Sequence, residues 1–194
     1  MTELSPAPPK TPKAAATRSR LLAAAHRLFI DHGYSAVSLN DIALTAGLTK
    51  GAIYGHFRSK GQLLIEVIRS ELAERDERAG GAEQTMAATE MVPSFVDDGA
   101  RELRLLQVDA AAAARHDPDV AAGLRQLVAD RQAWIADLSA TAAPTKADFD
   151  AEAFAFVVTA LAQGVGALEA GGAEPPDGDR FASVVTPMLA ATFR

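Results

Sequence analysis

Ser38-Leu39-Asn40-Asp41-Ile42-Ala43 and, two residues on, Ala46-Gly47-Leu48-Thr49-Lys50-Gly51-Ala52-Ile53-Tyr54-Gly55-His56-Phe57-Arg58-Ser59-Lys60 form the stretch on which the fold turns. Ser38 and Asp41 stand three apart as a capping box, with Val37 and Ile42 placed as a hydrophobic staple, so a helix starts at Leu39. It runs about two turns before Ala46 and Gly47 end it, Gly47 supplying the positive φ of a tight turn. Thr49 then caps a second short helix, stapled by Leu48 and Ile53, in which Ile53 and Phe57 point inward four residues apart. A third box, Ser59 with Gln62, opens a helix whose buried side is Leu63, Leu64, Val67, Ile68 and Leu72. Two short helices about a glycine turn, supported by longer neighbours, make a helix-turn-helix, the arrangement that presents its second helix to the major groove of DNA.

Outward from this motif the pattern stays helical. A first helix is expected from about Arg18 to Asp31, capped by Thr17 and ended by Gly33, with Leu21, Leu22, Ala25, Leu28 and Phe29 as its apolar stripe. Residues 1 to 16, with Pro6, Pro8, Pro9 and Pro12, read as a flexible tail. No alternating strand-like run occurs, so the fold class is all-α. The expected division is a tail over 1–16, a helix-turn-helix domain over 17–61 and a helical regulatory and dimerisation domain over 62–194. Residues 1–70 carry nine Lys or Arg against four Asp or Glu, whereas the rest carry ten against twenty-one, together the net charge of −6. A basic first third on an acidic remainder implies one surface for nucleic acid and another task for the body.

The function classes left are few. With no cysteine there is no disulfide, thiolate metal site or cysteine nucleophile. The four histidines, His26, His32, His56 and His116, show no Glu-x-x-His or His-x-x-x-His spacing, and there is no glycine-rich phosphate loop, so no catalytic residue, metal site or cofactor is expected. No apolar run approaches the roughly 18 residues of a membrane span, and the proline-rich start lacks a signal peptide's apolar core. A cytoplasmic protein without a membrane partner is the expectation.

Lys50 brings a full charge to the start of the reading helix, where the backbone already favours a phosphate, and Gly51 lets the backbone come close. Tyr54 and His56 lie outward relative to Ile53 and Phe57, so their polar ends can reach phosphates or base edges. In type and spacing these residues resemble the TetR (tetracycline-repressor) family signature, over roughly residues 17 to 65. By that resemblance Thr49, Lys50, Gly51, Tyr54, His56 and Lys60 fall on positions that contact DNA, Lys60 as a clamp on the phosphate backbone, with Ser38 a further phosphate candidate. Gly55 departs from the pattern, since relatives commonly carry there a larger side chain that touches bases. Inside a helix it is expected to cost about 1 kcal/mol relative to alanine. Arg18 and Arg20, with Lys10 and Lys13, are additional cations within reach of phosphates or a minor groove.

In the acidic body, Asp117-Pro118-Asp119 opens a helix carrying Val120, Leu124, Leu127, Val128, Ile135 and Leu138, stopped at Ala142-Ala143-Pro144. A long helix then bears a stripe too wide for one neighbour, and a last helix offers Phe181, Val184, Val185, Met188 and Leu189. These two are expected to form a homodimer interface through Phe156, Ala160, Gly164, Val165, Leu168, Val184 and Met188. The resemblance further implies a pocket for a small-molecule effector, for which Met91, Phe95, Gln107 and Trp134 are candidates. The expected function is a ligand-responsive repressor binding a palindromic double-stranded DNA operator as a homodimer. The alternatives are an activator and a DNA-binding protein whose acidic body docks a protein partner.

Overall fold

The computed structural model describes residues 11–78, 96, 97, 100–142 and 149–191. Among these, eight α-helices follow in order and no strand occurs: α1 (Pro12–His32), α2 (Leu39–Thr45), α3 (Lys50–Tyr54), α4 (Lys60–Arg78), α5 (Arg101–Ala113), α6 (Pro118–Ala142), α7 (Ala151–Ala170) and α8 (Gly178–Ala190). The expected all-α class is the observed one.

The start of α1 differs from expectation. Thr11, not Thr17, is the N-cap, its hydroxyl accepting from the amide of Ala14 at 3.2 Å, and Pro12 occupies the first helical position. Proline is at ease there because that N–H has no helical partner in any case. Thr17 sits inside the helix and donates its hydroxyl to the Lys13 carbonyl at 2.9 Å. The segment read as a tail therefore gives up residues 12–16 to α1.

The described residues fall into two compact units: those up to Glu71 together with Asp109–Arg125, and Leu72–Val108 together with the chain from Gln126 onward. In the first, Leu21, Ala25, Phe29, Ile42, Ile53, Phe57, Leu63, Leu64, Ile68 and Val120 are fully buried. Burying each large member is worth roughly 1.5–3 kcal/mol before chain entropy is charged. The start of α6 joins this core at close range. A β-carbon on Gly123 would lie 2.6 Å from the Ile65 side chain, and one on Gly61 would lie 2.8 Å from the Asp117 carboxylate and from Val120. Only glycine lets the two backbones come so near.

In the second unit Ile135, Phe154, Ala155, Val158, Val185 and Leu189 make the core, with Trp134, Phe149, Leu161 and Phe181 partly buried against it. Asp150 and Asp177 cap α7 and α8, accepting from the amides of Ala153 and Arg180 at 2.9 Å each. Arg104 and Glu169 form a buried bidentate pair between α5 and α7, with N–O distances of 2.5 and 2.8 Å. By length and composition α7 would suffice to cross a membrane, with a mean hydropathy of 1.6 over its apolar window. Glu152, Thr159, Gln163 and Glu169 break it into shorter apolar runs, which hid that length in the sequence. Its apolar residues divide between the side facing the core and a side left open.

Candidate nucleic-acid interface

The interface is built on α2 and α3. The Ser38 hydroxyl accepts from the Asp41 amide at 3.2 Å while the Ser38 amide donates to the Asp41 carboxylate at 3.0 Å, completing the expected capping box. The Ser38 hydroxyl also donates to that carboxylate at 2.6 Å, and these hydrogen bonds hold the Asp41 pKa below the ordinary carboxylate value. Gly47 takes φ +63° in the turn, as expected. Thr49 caps α3 by accepting from the Ala52 amide at 3.3 Å. From this frame Thr49, Lys50, Gly51 and Tyr54 stand exposed while Ile53 and Phe57 are fully buried. His56 is half-buried, its ring centroid 6.4 Å from that of Phe57.

The reading helix is shorter than expected, five residues, and Gly55 is its C-cap with φ −71° and ψ −18° rather than an interior position. The interior-glycine cost therefore does not apply. A β-carbon there would meet nothing closer than the Ala52 carbonyl at 3.4 Å.

Several cations of this unit have acceptors within the protein. Arg18 pairs with the buried Glu66 carboxylate and lies 5.5 Å from the Phe57 ring centroid. Arg20 donates to the Ala46 carbonyl at 2.5 Å, fastening the end of α2 to α1. Lys60 donates to the carbonyls of Tyr34 at 2.8 Å and Val37 at 2.9 Å, with the Ser35 carbonyl at 3.5 Å. Lys10 lies outside the described residues.

Three carboxylates from the acidic part of the sequence also belong to this unit. Asp109 accepts from the Tyr34 amide at 2.7 Å, Asp117 from the Tyr34 phenol at 2.8 Å and Asp119 from the Ser59 hydroxyl at 2.5 Å. Burial, then the Asp117 hydrogen bond, pushes the Tyr34 pKa up from its ordinary value. The sequence marked Asp117 only as a helix cap, a role it also fills by accepting from the amides of Asp119 and Val120. Nothing local pointed to Tyr34, because its partners lie 75 and 83 residues away.

Residues 21–67, which contain α2, α3 and their buried supports, match the family model for bacterial regulatory proteins of the tetR family. Over that segment, about a quarter of its length, the chain is similar to tetR-family regulatory proteins. Among curated relatives, the HTH-type transcriptional repressor KstR2 of Mycolicibacterium smegmatis (strain ATCC 700084 / mc(2)155) is 43% identical over 65 residues, covering 33% of this chain and 32% of that protein. The match thus spans about a third of that relative's length. The fold likeness reaches further. A TetR-family transcriptional regulator of Rhodococcus sp. superposes with a TM-score of 0.76 over 92% of this chain and 98% of that one, at 21% identity. The transcriptional regulator FadR of Bacillus subtilis, solved with stearoyl-CoA, has a TM-score of 0.66 over 91% and 99%, at 13% identity.

The second unit only partly gathers the remaining expected residues. Phe156, Leu168, Val184 and Met188 are each more than 60% exposed, and Ala160 and Gly164 are exposed beside them. Val165 is a correction: at 8% exposure it faces the interior of its own unit. One residue's step along α7 turns a side chain by about 100°, enough to move it from the open face inward. A cleft of about 720 Å³ lies among Asp97, Arg101, Glu169 and the loop Gly172–Gly178. Neither Gln107 nor Trp134 lines it, and Met91 and Phe95 lie outside the described residues. Trp134 packs against the second core, with the Arg131 guanidinium 4.3 Å from its ring. Among the described residues no cluster of three or more metal-ligating side chains occurs.

Proposed function

We propose that this chain is a transcriptional repressor that binds a palindromic DNA operator as a homodimer and is released by a small-molecule effector. The observation that carries the reading is the exposed row Thr49, Lys50, Gly51 and Tyr54, held on fully buried Ile53 and Phe57 within a segment matching the tetR family model. In this reading Lys50 meets a phosphate, Tyr54 and His56 reach phosphates or base edges, Gly51 admits the backbone, and Thr49 and Ser38 approach phosphates from helix starts. The protein is a cytoplasmic regulator and not an enzyme.

The homodimer is supported by the open side of α7 and α8. Phe156, Leu168, Val184 and Met188 would be costly to leave in water, and a β-carbon on Gly164 would meet nothing within 4 Å, leaving room for a second helix. Four helices, two from each copy, would cover this face. A two-fold pair of reading helices then fits half-sites about 34–36 Å apart, hence an inverted repeat. The effector is a small molecule held in the second unit, for which Gln107, Trp134, Met91 and Phe95 remain the candidates. A fold neighbour solved with stearoyl-CoA supports a ligand-binding body. An effector with higher affinity for the DNA-free form weakens operator binding by linkage.

The test is selection of bound duplexes from random DNA by the purified full chain, followed by a screen for small molecules that release it. An inverted repeat bound by a dimer in sedimentation is the expected result. A monomer on one unrepeated half-site, or no sequence preference, overturns the reading.

A further inference from the structure

Lysine at the first position of a helix is electrostatically misplaced, because the amides there already present positive charge. Lys60 occupies that position in α4 and is half-buried as well. What offsets both costs is a nest of acceptors: the carbonyls of Tyr34 and Val37 at 2.8 and 2.9 Å, that of Ser35 at 3.5 Å, and the face of the Tyr34 ring, whose centroid lies 4.2 Å from the ammonium. Among the described residues none of these three carbonyls accepts from a backbone N–H, and the ammonium is what they face. The turn that supplies them leads into Ser38, the cap of α2, while Lys60 follows directly on the chain that leaves α3. One side chain thus joins the entrance and the exit of the α2–α3 pair.

We propose that Lys60 is a positioning residue of the reading pair: its ammonium gathers the carbonyls of residues 34 to 37 and fixes where α2 begins relative to α4, instead of contacting a DNA phosphate. Around it, Tyr34 is held from its other sides by Asp109 on its amide and Asp117 on its phenol, so the acceptor nest is itself anchored. Asp117 favours the charged ammonium, and burial opposes it by lowering the Lys60 pKa. An ammonium suits this nest and a guanidinium does not, because three converging carbonyls match a compact point charge with rotatable donors rather than a planar fork. Its consequence for DNA rests on the proposed function; the arrangement itself does not.

The experiment uses the full wild-type chain, methylated reductively with formaldehyde and borohydride and read lysine by lysine, with and without a random-sequence duplex. Lys60 is expected to react several-fold more slowly than exposed Lys13 and Lys50 in the free protein, and DNA is expected to slow Lys50 while leaving Lys60 unchanged. Lys60 reacting as fast as Lys50, or protected by DNA to the same degree, overturns the proposal. If no duplex binds, the functional reading fails while the rate in free protein still decides the position of Lys60. Two variants extend the test through the salt dependence of duplex binding. Lys60→Met and Lys60→Arg are both expected to bind more weakly than wild type with an unchanged log–log salt slope, since no phosphate contact is lost. A slope shallower by about 0.9 per subunit for Lys60→Met, with full affinity kept by Lys60→Arg, is the signature of a phosphate clamp and contradicts the proposal.

Discussion

In the first unit, the polar side chains that set the helices lie three residues from the amides they satisfy: Ser38 on Asp41, Thr49 on Ala52 and Ser59 on Gln62. The second has such caps too, Asp150 on Ala153 and Asp177 on Arg180, but adds the Arg104–Glu169 pair, whose members are 65 residues apart and both buried. The two regions differ in what removing a partner leaves behind. A lost cap exposes one amide to water, which can replace the bond. A lost carboxylate leaves a buried guanidinium with one remaining acceptor, the Asp97 carbonyl at 2.9 Å.

This difference sets the order of the mutational effects. Glu169→Ala should destabilise the protein most, by about 3–5 kcal/mol in urea unfolding, because the buried Arg104 charge loses its counter-charge and keeps only the Asp97 carbonyl as acceptor. The double change Arg104→Met with Glu169→Leu should recover most of that loss, since well-packed apolar replacements of a buried pair are often close to neutral. A single variant as stable as wild type would erase the contrast between the units. Thr49→Ala should cost about 1 kcal/mol, the ordinary value of one exposed cap, measured by the same unfolding.

Smaller still is the acid response of the Ser38–Asp41 box. Asp41 has its pKa lowered from the ordinary 3.8 in the folded state, so its contribution is present above that value and disappears as pH falls through the lowered one. Ser38→Ala should flatten the acid limb of stability against pH, and an unchanged limb would show that the box is not what depresses Asp41. Smallest is Gly55→Ala, expected to change stability by no more than about 0.5 kcal/mol because the position is a C-cap with room for a β-carbon. A loss near the full interior-helix penalty would place Gly55 under strain that its backbone angles do not show.

What could be read from the sequence follows the same division of reach. Three caps, the Gly47 turn and the inward Ile53 and Phe57 are written within windows of three to eight residues, and local propensity agrees with the fold at each of them. The N-terminal limit of α1 was missed because Thr11 and Thr17 are both good caps, and only the structure chooses between them. Arg18 and Arg20 looked like free cations because Glu66 and the Ala46 carbonyl, their partners, are 48 and 26 residues distant. Asp109, Asp117 and Asp119 belong by sequence to the acidic remainder, yet they dock on Tyr34 and Ser59. Along α7 the helical period identified an apolar face but left its edge uncertain by one residue, and Val165 fell on the wrong side of it.

The central claim is that α3 presents Lys50 and Tyr54 to duplex DNA, and the salt dependence of binding tests it most directly. On a duplex selected by the wild-type chain, Lys50→Ala should weaken binding and make the log–log salt slope shallower by about 0.9 per subunit, while leaving the unfolding transition where it was. Equal affinity and a slope parallel to wild type, in a folded Lys50→Ala protein, would mean that this helix does not meet the phosphate backbone.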